Sequence, residues 1–389
     1  MIALVLSNPK HHAEMLIPVA RQLAGRGHRV RIISLAELRG FATPAWALDQ
    51  VEVVRVIPSR LRKNPSLGSG VGTDPQDRTG AVLRRVAQLV LLTALGPRLL
   101  WLLRGARVVV IPNDTAYPYR ELVVFLKARR VPYALLQEGI RFPLPNETTK
   151  DRYGCSGATA VCTWGEGSAE HFQRIGVPAS TIHVTGNPRF DSVSIHQVRE
   201  QGLALLSQAG VSAPPLLYLS NPIDDQGFCS TADKLELFER FVIESRRELE
   251  QRRVPLAVKL HPREDLDGFR RVATKLGADV HFLGDAPLFP LLAASRAAVV
   301  LASTAGLEAL AFGIPLGVME LPRHGFVFEY VSRGAAIGLS PGSIATRVAE
   351  LLNRGTDPRD QAFVERHLAG RGSAALRITE LLERLEPRP

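Results

Sequence analysis

Cysteine is scarce in this chain. Only Cys155, Cys162 and Cys229 occur among 389 residues, an odd number with no Cys-x-x-Cys pair. That excludes a disulfide framework and a zinc knuckle, and it fits reduced thiols in the cytosol. Aromatic residues make up 6% of the chain, too few and too scattered for a base-stacking platform. Helix-turn-helix, zinc-finger and RNA-binding signatures are missing as well, so nucleic acid is not an expected partner. No acid-x-acid element stands at a strand end, and Asp224-Asp225 is the nearest approach. No metal is expected. Long apolar runs are also absent: the most apolar stretch, Val86 to Leu103, is interrupted by Gly96-Pro97-Arg98 and falls short of a spanning helix. It reads as a pair of core helices, or as a basic-apolar surface that rests on a membrane. Met1-Ile2-Ala3-Leu4-Val5-Leu6 lacks the basic region and long apolar core of a signal peptide. The expectation is a cytoplasmic protein, with peripheral association at the inner membrane face as the alternative.

What is present is an ordinary globular balance, 46% hydrophobic and 22% charged, over a length that calls for two domains. The formal net charge is +10. Its basic residues are scattered apart from Arg60-Leu61-Arg62-Lys63 and the segment Arg84 to Arg107. With nucleic acid set aside, the charge suits anionic headgroups or phosphorylated substrates.

Short apolar runs alternate with helical periodicity throughout. Strands are expected at Ile2–Leu6, His28–Ile33, Val51–Val56, Ala106–Ile111, Tyr133–Leu136 and Ala158–Cys162. Helices are expected at His12–Arg26 and Tyr119–Lys127, with two more after a long loop from Pro58 to Gly80. Strands spaced by helices imply right-handed βαβ units and a parallel sheet. The first unit ends near Gly186-Asn187-Pro188-Arg189-Phe190-Asp191. A connecting helix from about Val193 to Ala209 with its linker covers 193–212, and Ala213-Pro214-Pro215 opens a second unit. There, strands Leu216–Leu219, Leu256–Leu260, Val280–Leu283, Ala298–Leu301 and a last one, Leu316–Met319, alternate with helices Lys234–Arg252, Leu266–Leu276, Leu288–Ala294 and Ala305–Phe312. The domains are therefore 1–192 and 213–373, joined by a hinge, with a cleft between them and a final helix in 374–389 packing back across both. No internal repeat is visible.

The chemistry-bearing residues fall where these strands end, the edge at which open α/β sheets bind ligands. Lys259-Leu260-His261-Pro262 ends one strand, and Pro262 fixes the turn. Ser303-Thr304-Ala305-Gly306-Leu307-Glu308 ends another and starts a helix. Free N–H groups and the helix dipole there suit a phosphate, and Glu308 is one turn on, placed for a sugar hydroxyl. The bland alternative is an N-cap followed by an exposed acid. Lys259 shares a sheet face with His261 if the strand is regular, and Arg263 is a weaker phosphate candidate. Ser220 and Asn221 end the first strand of the second unit. On the first unit, His11 or His12 leads from strand to helix, while Asp114 and Glu138-Gly139 also stand at strand ends. Gly186 to Asp191 reads as a hinge turn, or as a donor contact through Asn187 and Arg189.

Gln137-Glu138-Gly139, Gly186 to Asp191, His261-Pro262 and Ser303 to Leu310 together resemble the GT-B superfamily of nucleotide-sugar glycosyltransferases. The likeness is narrower to bacterial surface-polysaccharide enzymes: Kdo, sialyl- and polysialyltransferases and CDP-glycerol glycerophosphotransferases. It covers most of the chain. Non-hydrolysing UDP-N-acetylglucosamine 2-epimerases share the fold. The resemblance implies an α/β protein of two Rossmann-like domains facing across a cleft. It implies His261 on the leaving nucleotide's phosphate, one acid as general base, no cofactor beyond the nucleotide-activated sugar, and CMP or CDP favoured over UDP. In the resembled transferases the base motif is two acids then glycine. Here Gln137 replaces the first, leaving Glu138, with Asp114 as the rival base. Partners would be the nucleotide-sugar donor and a glycan or glycolipid acceptor. Two alternatives stand beside transfer: a 2-epimerase, which needs no acceptor, and a non-catalytic nucleotide- or glycan-binding member of a synthesis complex.

Overall fold

A computed structural model of the protein describes residues 1–57, 93–142, 144–147, 152–355 and 357–385. The expected 58–80 loop, the Arg60–Lys63 cluster and the start of the Val86–Leu103 stretch lie outside the described residues. The chain forms two compact units. One comprises Met1–Gly139, Glu147–Ser192 and Leu368–Pro389, and the other Ile140–Asn146 and Val193–His367.

Among the described residues, the first unit is built on seven strands: β1 (Ile2–Leu6), β2 (Val30–Ser34), β3 (Val51–Arg55), β4 (Val108–Ile111), β5 (Tyr133–Leu136), β6 (Ala160–Thr163) and β7 (Ile182–Val184). All pair in parallel, in the order β3-β2-β1-β4-β5-β6-β7. Strands covered on both faces read as continuous apolar runs rather than alternating ones, and β1, β4 and β5 are buried at every position. The winding direction reverses between β1 and β4. Side chains following these two strands therefore meet in the crevice where the helices leave on opposite faces.

The second unit has six parallel strands: β8 (Leu216–Leu219), β9 (Leu256–Lys259), β10 (Val280–Phe282), β11 (Ala297–Val300), β12 (Leu316–Met319) and β13 (Ile337–Leu339). Their order, β10-β9-β8-β11-β12-β13, puts the reversal between β8 and β11. Its core joins these strands to the helix Thr231–Arg252 through Tyr218, Phe238, Phe241 and Phe269.

Several expectations need correcting. Leu316–Met319 is not the last strand, because β13 follows it, and so do helices Ile344–Asn353 and Pro358–His367. Strand β7 was likewise not foreseen. Gly96-Pro97 does not break the helix there, and 93–102 is helical throughout. The helix Ile195–Gln208, expected as a connection, clusters with the second unit and packs on Leu288–Ala294. The last helix, Ala374–Arg384, clusters with the first unit and packs on His11–Gly25. Arg107 ties its end by donating to the Leu382 carbonyl at 2.8 Å.

Candidate functional site

The reversal point of the first unit gathers most of its expected site residues. His12 is buried on the first turn of its helix. Its Nδ1 accepts the N–H groups of Ser7 and Asn8 at 3.2 and 3.1 Å, and Tyr119 Oη lies 3.0 Å away. A nitrogen that accepts backbone N–H groups carries no proton, so the ring hydrogen sits on Nε2. Nε2 donates to Glu138 Oε1 at 3.1 Å, and Asn113 Nδ2 donates to Glu138 Oε2 at 2.9 Å. Burial pushes the Glu138 carboxyl up, but the His12 hydrogen bond, the positive charge that His11 takes on in acid and the Asn113 amide outweigh it and hold it at about 2. His11 Nε2 lies 3.4 Å from the Glu138 carbonyl. Burial and then the nearby Arg189 charge bring His11 down to about 4, against the pull of Glu138. At neutral pH this corner holds a carboxylate beside a neutral imidazole.

Neighbouring residues have other tasks. Asp114 is buried, and its two carboxylate oxygens accept the Gly154 and Ser156 N–H groups at 2.9 and 3.1 Å. It fixes the loop carrying Tyr153, whose hydroxyl accepts the Glu138 N–H at 2.9 Å. Gln137 shows why an amide replaces the acid of the resembled motif. Its Nε2 donates to the Gly139 carbonyl and to Ser168 Oγ, both at 2.8 Å, while its Oε1 accepts Trp164 N–H. A carboxylate there would lose both donor contacts inside the protein.

The stretch Gly186 to Asp191 is spent within the first unit. Gly186 has φ +92°, and a Cβ there would lie 2.4 Å from the Ala369 carbonyl. Asn187 caps the turn by accepting Arg189 N–H at 3.1 Å. Arg189 pairs with Glu14 at 2.7 Å. Asp191 accepts the Ala374 and Ala375 N–H groups at 2.9 and 2.7 Å, capping the last helix. This is the arrangement of a brace for the C-terminal helix.

In the second unit, Asn221 spans the reversal point, its Nδ2 donating to the Ala302 carbonyl at 2.9 Å. Beyond β9, His261 is exposed and its Nδ1 accepts the Arg263 N–H at 3.2 Å. A neutral ring therefore carries its hydrogen on Nε2. Lys259 turns away to donate to the Gly284 carbonyl at 3.1 Å. Arg263 faces Asp225 at 3.5 Å. Glu264 accepts from Ser220 Oγ and His261 N–H at 2.7 and 2.9 Å.

The Ser303–Thr304 turn corrects one expectation. The helix-start N–H groups are engaged rather than free. Ala305 N–H donates to Ser303 Oγ at 3.2 Å, Gly306 N–H to the Ser303 carbonyl at 3.3 Å, and Leu307 N–H to Tyr330 Oη at 2.9 Å. Tyr330 also explains Gly306, where a Cβ would sit 2.8 Å from its ring. Thr304 Oγ1 accepts Ile140 N–H at 3.1 Å. Glu308 is buried, not an exposed helix acid. The Ser303 and Thr304 hydroxyls after β11 each accept one N–H.

Sequence reasoning missed Asn113, Tyr153, Lys234, Glu264 and Tyr330. One signal was available. Lys234 falls in register with Leu237, Phe238, Phe241, Val242 and Leu249, the buried face of its helix. A lysine on an apolar stripe requires a buried partner. Among the described residues, no group of three or more His, Cys, Asp or Glu side chains is placed to hold a metal ion, and no helix is long and apolar enough to cross a membrane.

No protein-family model and no curated protein matches this chain. Solved structures do. The UDP-GlcNAc 2-epimerase of Methanocaldococcus jannaschii, in complex with UDP-GlcNAc and UDP, is 15% identical with a TM-score of 0.61, covering 98% of this chain and 99% of its own. Anabaena HepE, in complex with UDP and glucose, is 16% identical with a TM-score of 0.59, covering 99% of both chains. WaaG, a glycosyltransferase involved in lipopolysaccharide biosynthesis, is 15% identical with a TM-score of 0.53, covering 99% of this chain and 100% of its own. At such identities the likeness is one of fold, and the fold is GT-B: two Rossmann-like α/β domains.

Proposed function

We propose that this protein is an enzyme that takes a sugar, or a polyol phosphate, from a nucleotide-activated donor and transfers it to a surface glycan or glycolipid. The observation that carries the reading is the chemistry at the reversal point of each sheet and at the strand end beside it. In the second unit a hydrogen-bond donor on His261 and the hydroxyls of Ser220, Ser303 and Thr304 follow β8, β9 and β11. In the first unit the Glu138 carboxylate and the His11 imidazole follow β5 and β1. Departure of a nucleotide needs its negative charge stabilised, and attack by a hydroxyl needs a proton acceptor. His261 and the β11 hydroxyls would serve the leaving phosphate, and Glu308 a sugar hydroxyl. Glu138 would hold the attacking hydroxyl and take its proton late, since a carboxylate held at about 2 is a weak base until the nucleophile has become acidic. His11, at about 4, is the stronger base beside it. The anionic or membrane-attached acceptor fits the net charge of +10.

The second reading is a nucleotide-sugar 2-epimerase, since the same fold is found in the Methanocaldococcus jannaschii UDP-GlcNAc 2-epimerase as well as in WaaG. Acceptor dependence separates the two: transfer releases nucleotide only with an acceptor, and epimerisation does not require one. For the donor, the His-Pro resemblance points to CMP or CDP, and the ligands of the similar structures point to UDP. Thermal unfolding with CMP, CDP, UDP and GDP decides. A ligand at a hundredfold excess over its Kd adds about 2.7 kcal/mol. The expected result is a shift with one nucleotide, lost in His261→Ala. No shift with any of the four removes the nucleotide reading. Full turnover in Glu138→Gln removes the carboxylate from the role of base.

A further inference from the structure

A cavity of about 240 Å³ in the second unit lies beside the His261 turn, lined among others by Asp224, Thr231, Lys234, Arg263 and Glu264. Its wall is an ordered chain of charged hydrogen bonds. Thr231 Oγ1 donates to Asp224 Oδ2 at 2.8 Å, and Lys234 Nζ donates to Asp224 Oδ1 at 2.7 Å. Lys234 also faces Glu264 Oε1 at 3.2 Å, and the Glu264 side chain is wholly enclosed. Glu264 accepts in turn from Ser220 Oγ at 2.7 Å and from His261 N–H at 2.9 Å.

The direction of every link is fixed. An ammonium and a backbone N–H can only donate, so the Glu264 oxygens facing them can only accept. A serine hydroxyl has one hydrogen. With that hydrogen given to Glu264, Ser220 has only lone pairs left for anything else. His261 is the converse case. Its Nδ1 accepts the Arg263 N–H, so a neutral ring carries its hydrogen on Nε2.

We propose that Glu264, with Lys234 as its countercharge, is a positioning residue that sets the polarity of the donor-side loops: Ser220 presents an acceptor, which reads a ribose hydroxyl or a base N–H, and not a phosphate oxygen. This rests on the nucleotide reading above. A phosphate oxygen, itself only an acceptor at neutral pH, would meet the Ser220 lone pairs and be repelled. The phosphate contact therefore belongs to the His261 side, and Ser220 is the residue that selects the nucleoside.

The test is a set of affinities for UDP and CDP and for their 2′-deoxy, 3′-deoxy and, for UDP, N3-methyl forms. It is run on wild type, Ser220→Ala and Glu264→Gln, with each variant shown to be folded by its unfolding midpoint. One analogue should bind wild type about tenfold more weakly than its parent, the loss of about one hydrogen bond. That penalty should vanish in Ser220→Ala. In Glu264→Gln either orientation of the amide sets its NH₂ against a donor, Lys234 Nζ or His261 N–H, so the loops lose the fixed pair of acceptors that holds the serine hydrogen inward. The same penalty should shrink there while the Ser220 oxygen remains. A penalty equal in all three proteins, or no penalty with any analogue, overturns the polarity assignment and leaves the nucleotide reading intact. Wild type binding neither nucleotide overturns both.

Discussion

His11 and Glu138 are adjacent in space and opposite in what acid does to them. The imidazole is neutral in the folded protein above about 4, against an ordinary value of 6.5. The carboxyl is ionised above about 2, against an ordinary 4.5. Both folded values are depressed, so both contributions to stability are complete at neutral pH. That of His11 is lost as pH falls from 6.5 through about 4, and that of Glu138 as pH falls from 4.5 through about 2. The unfolding midpoint should therefore decline between pH 6.5 and 4, and His11→Gln should flatten that decline while leaving the drop at lower pH. A midpoint as pH-sensitive in the variant as in wild type would place the buried proton on another group. Gln137 illustrates the reach of a single residue in the sequence. The motif resemblance located the strand end, but only the partners of its amide explain why an acid is missing there.

Helix packing reverses an ordinary substitution rule. Replacing a helical glycine by alanine usually stabilises by roughly 1 kcal/mol. Gly202 lies inside Ile195–Gln208, and a Cβ there would come 1.9 Å from the Pro290 carbonyl and 2.7 Å from the Ala294 Cβ. Backbone cannot yield as a side-chain tip can, so Gly202→Ala should destabilise by about 2 kcal/mol or more. Chemical denaturation compared with Gly210→Ala is not a fair control, because Gly210 has φ +76°, and Gly25→Ala, where nothing lies within 4 Å of the added Cβ, is the better one. The elements themselves were legible wherever four or more apolar residues ran together. The helix Ala374–Arg384 was visible by its periodicity, but the Asp191 cap at its start was not, since the two are separated by most of a domain.

At the scale of the whole molecule, the two units are separate sheets with separate cores. A nucleotide held by the second unit should protect its amides selectively. Hydrogen exchange with and without saturating UDP or CDP should slow at Ser220–Asn221, His261–Glu264 and Ser303–Glu308, while β2 and β3 of the first unit exchange as before. Protection confined to the first unit would place the nucleotide there instead.

The sequence by itself determined the class of fold, because parallel strands buried on both faces must be written as apolar runs, and the polar residues that end those runs mark the ligand edge. It also located His261, Ser303 and Glu138 at strand ends. Only the tertiary structure decided what those residues can do. Strand order set which ends meet, joining β8 to β11 and β1 to β4. Partners far along the chain then fixed protons and charges: Tyr119 and Asn113 around His12 and Glu138, Tyr330 over the Ser303 turn, and Lys234 and Glu264 behind Ser220. A side chain's hydrogen-bonding direction depends on what it touches, and contacts between residues dozens of positions apart leave no local period to read.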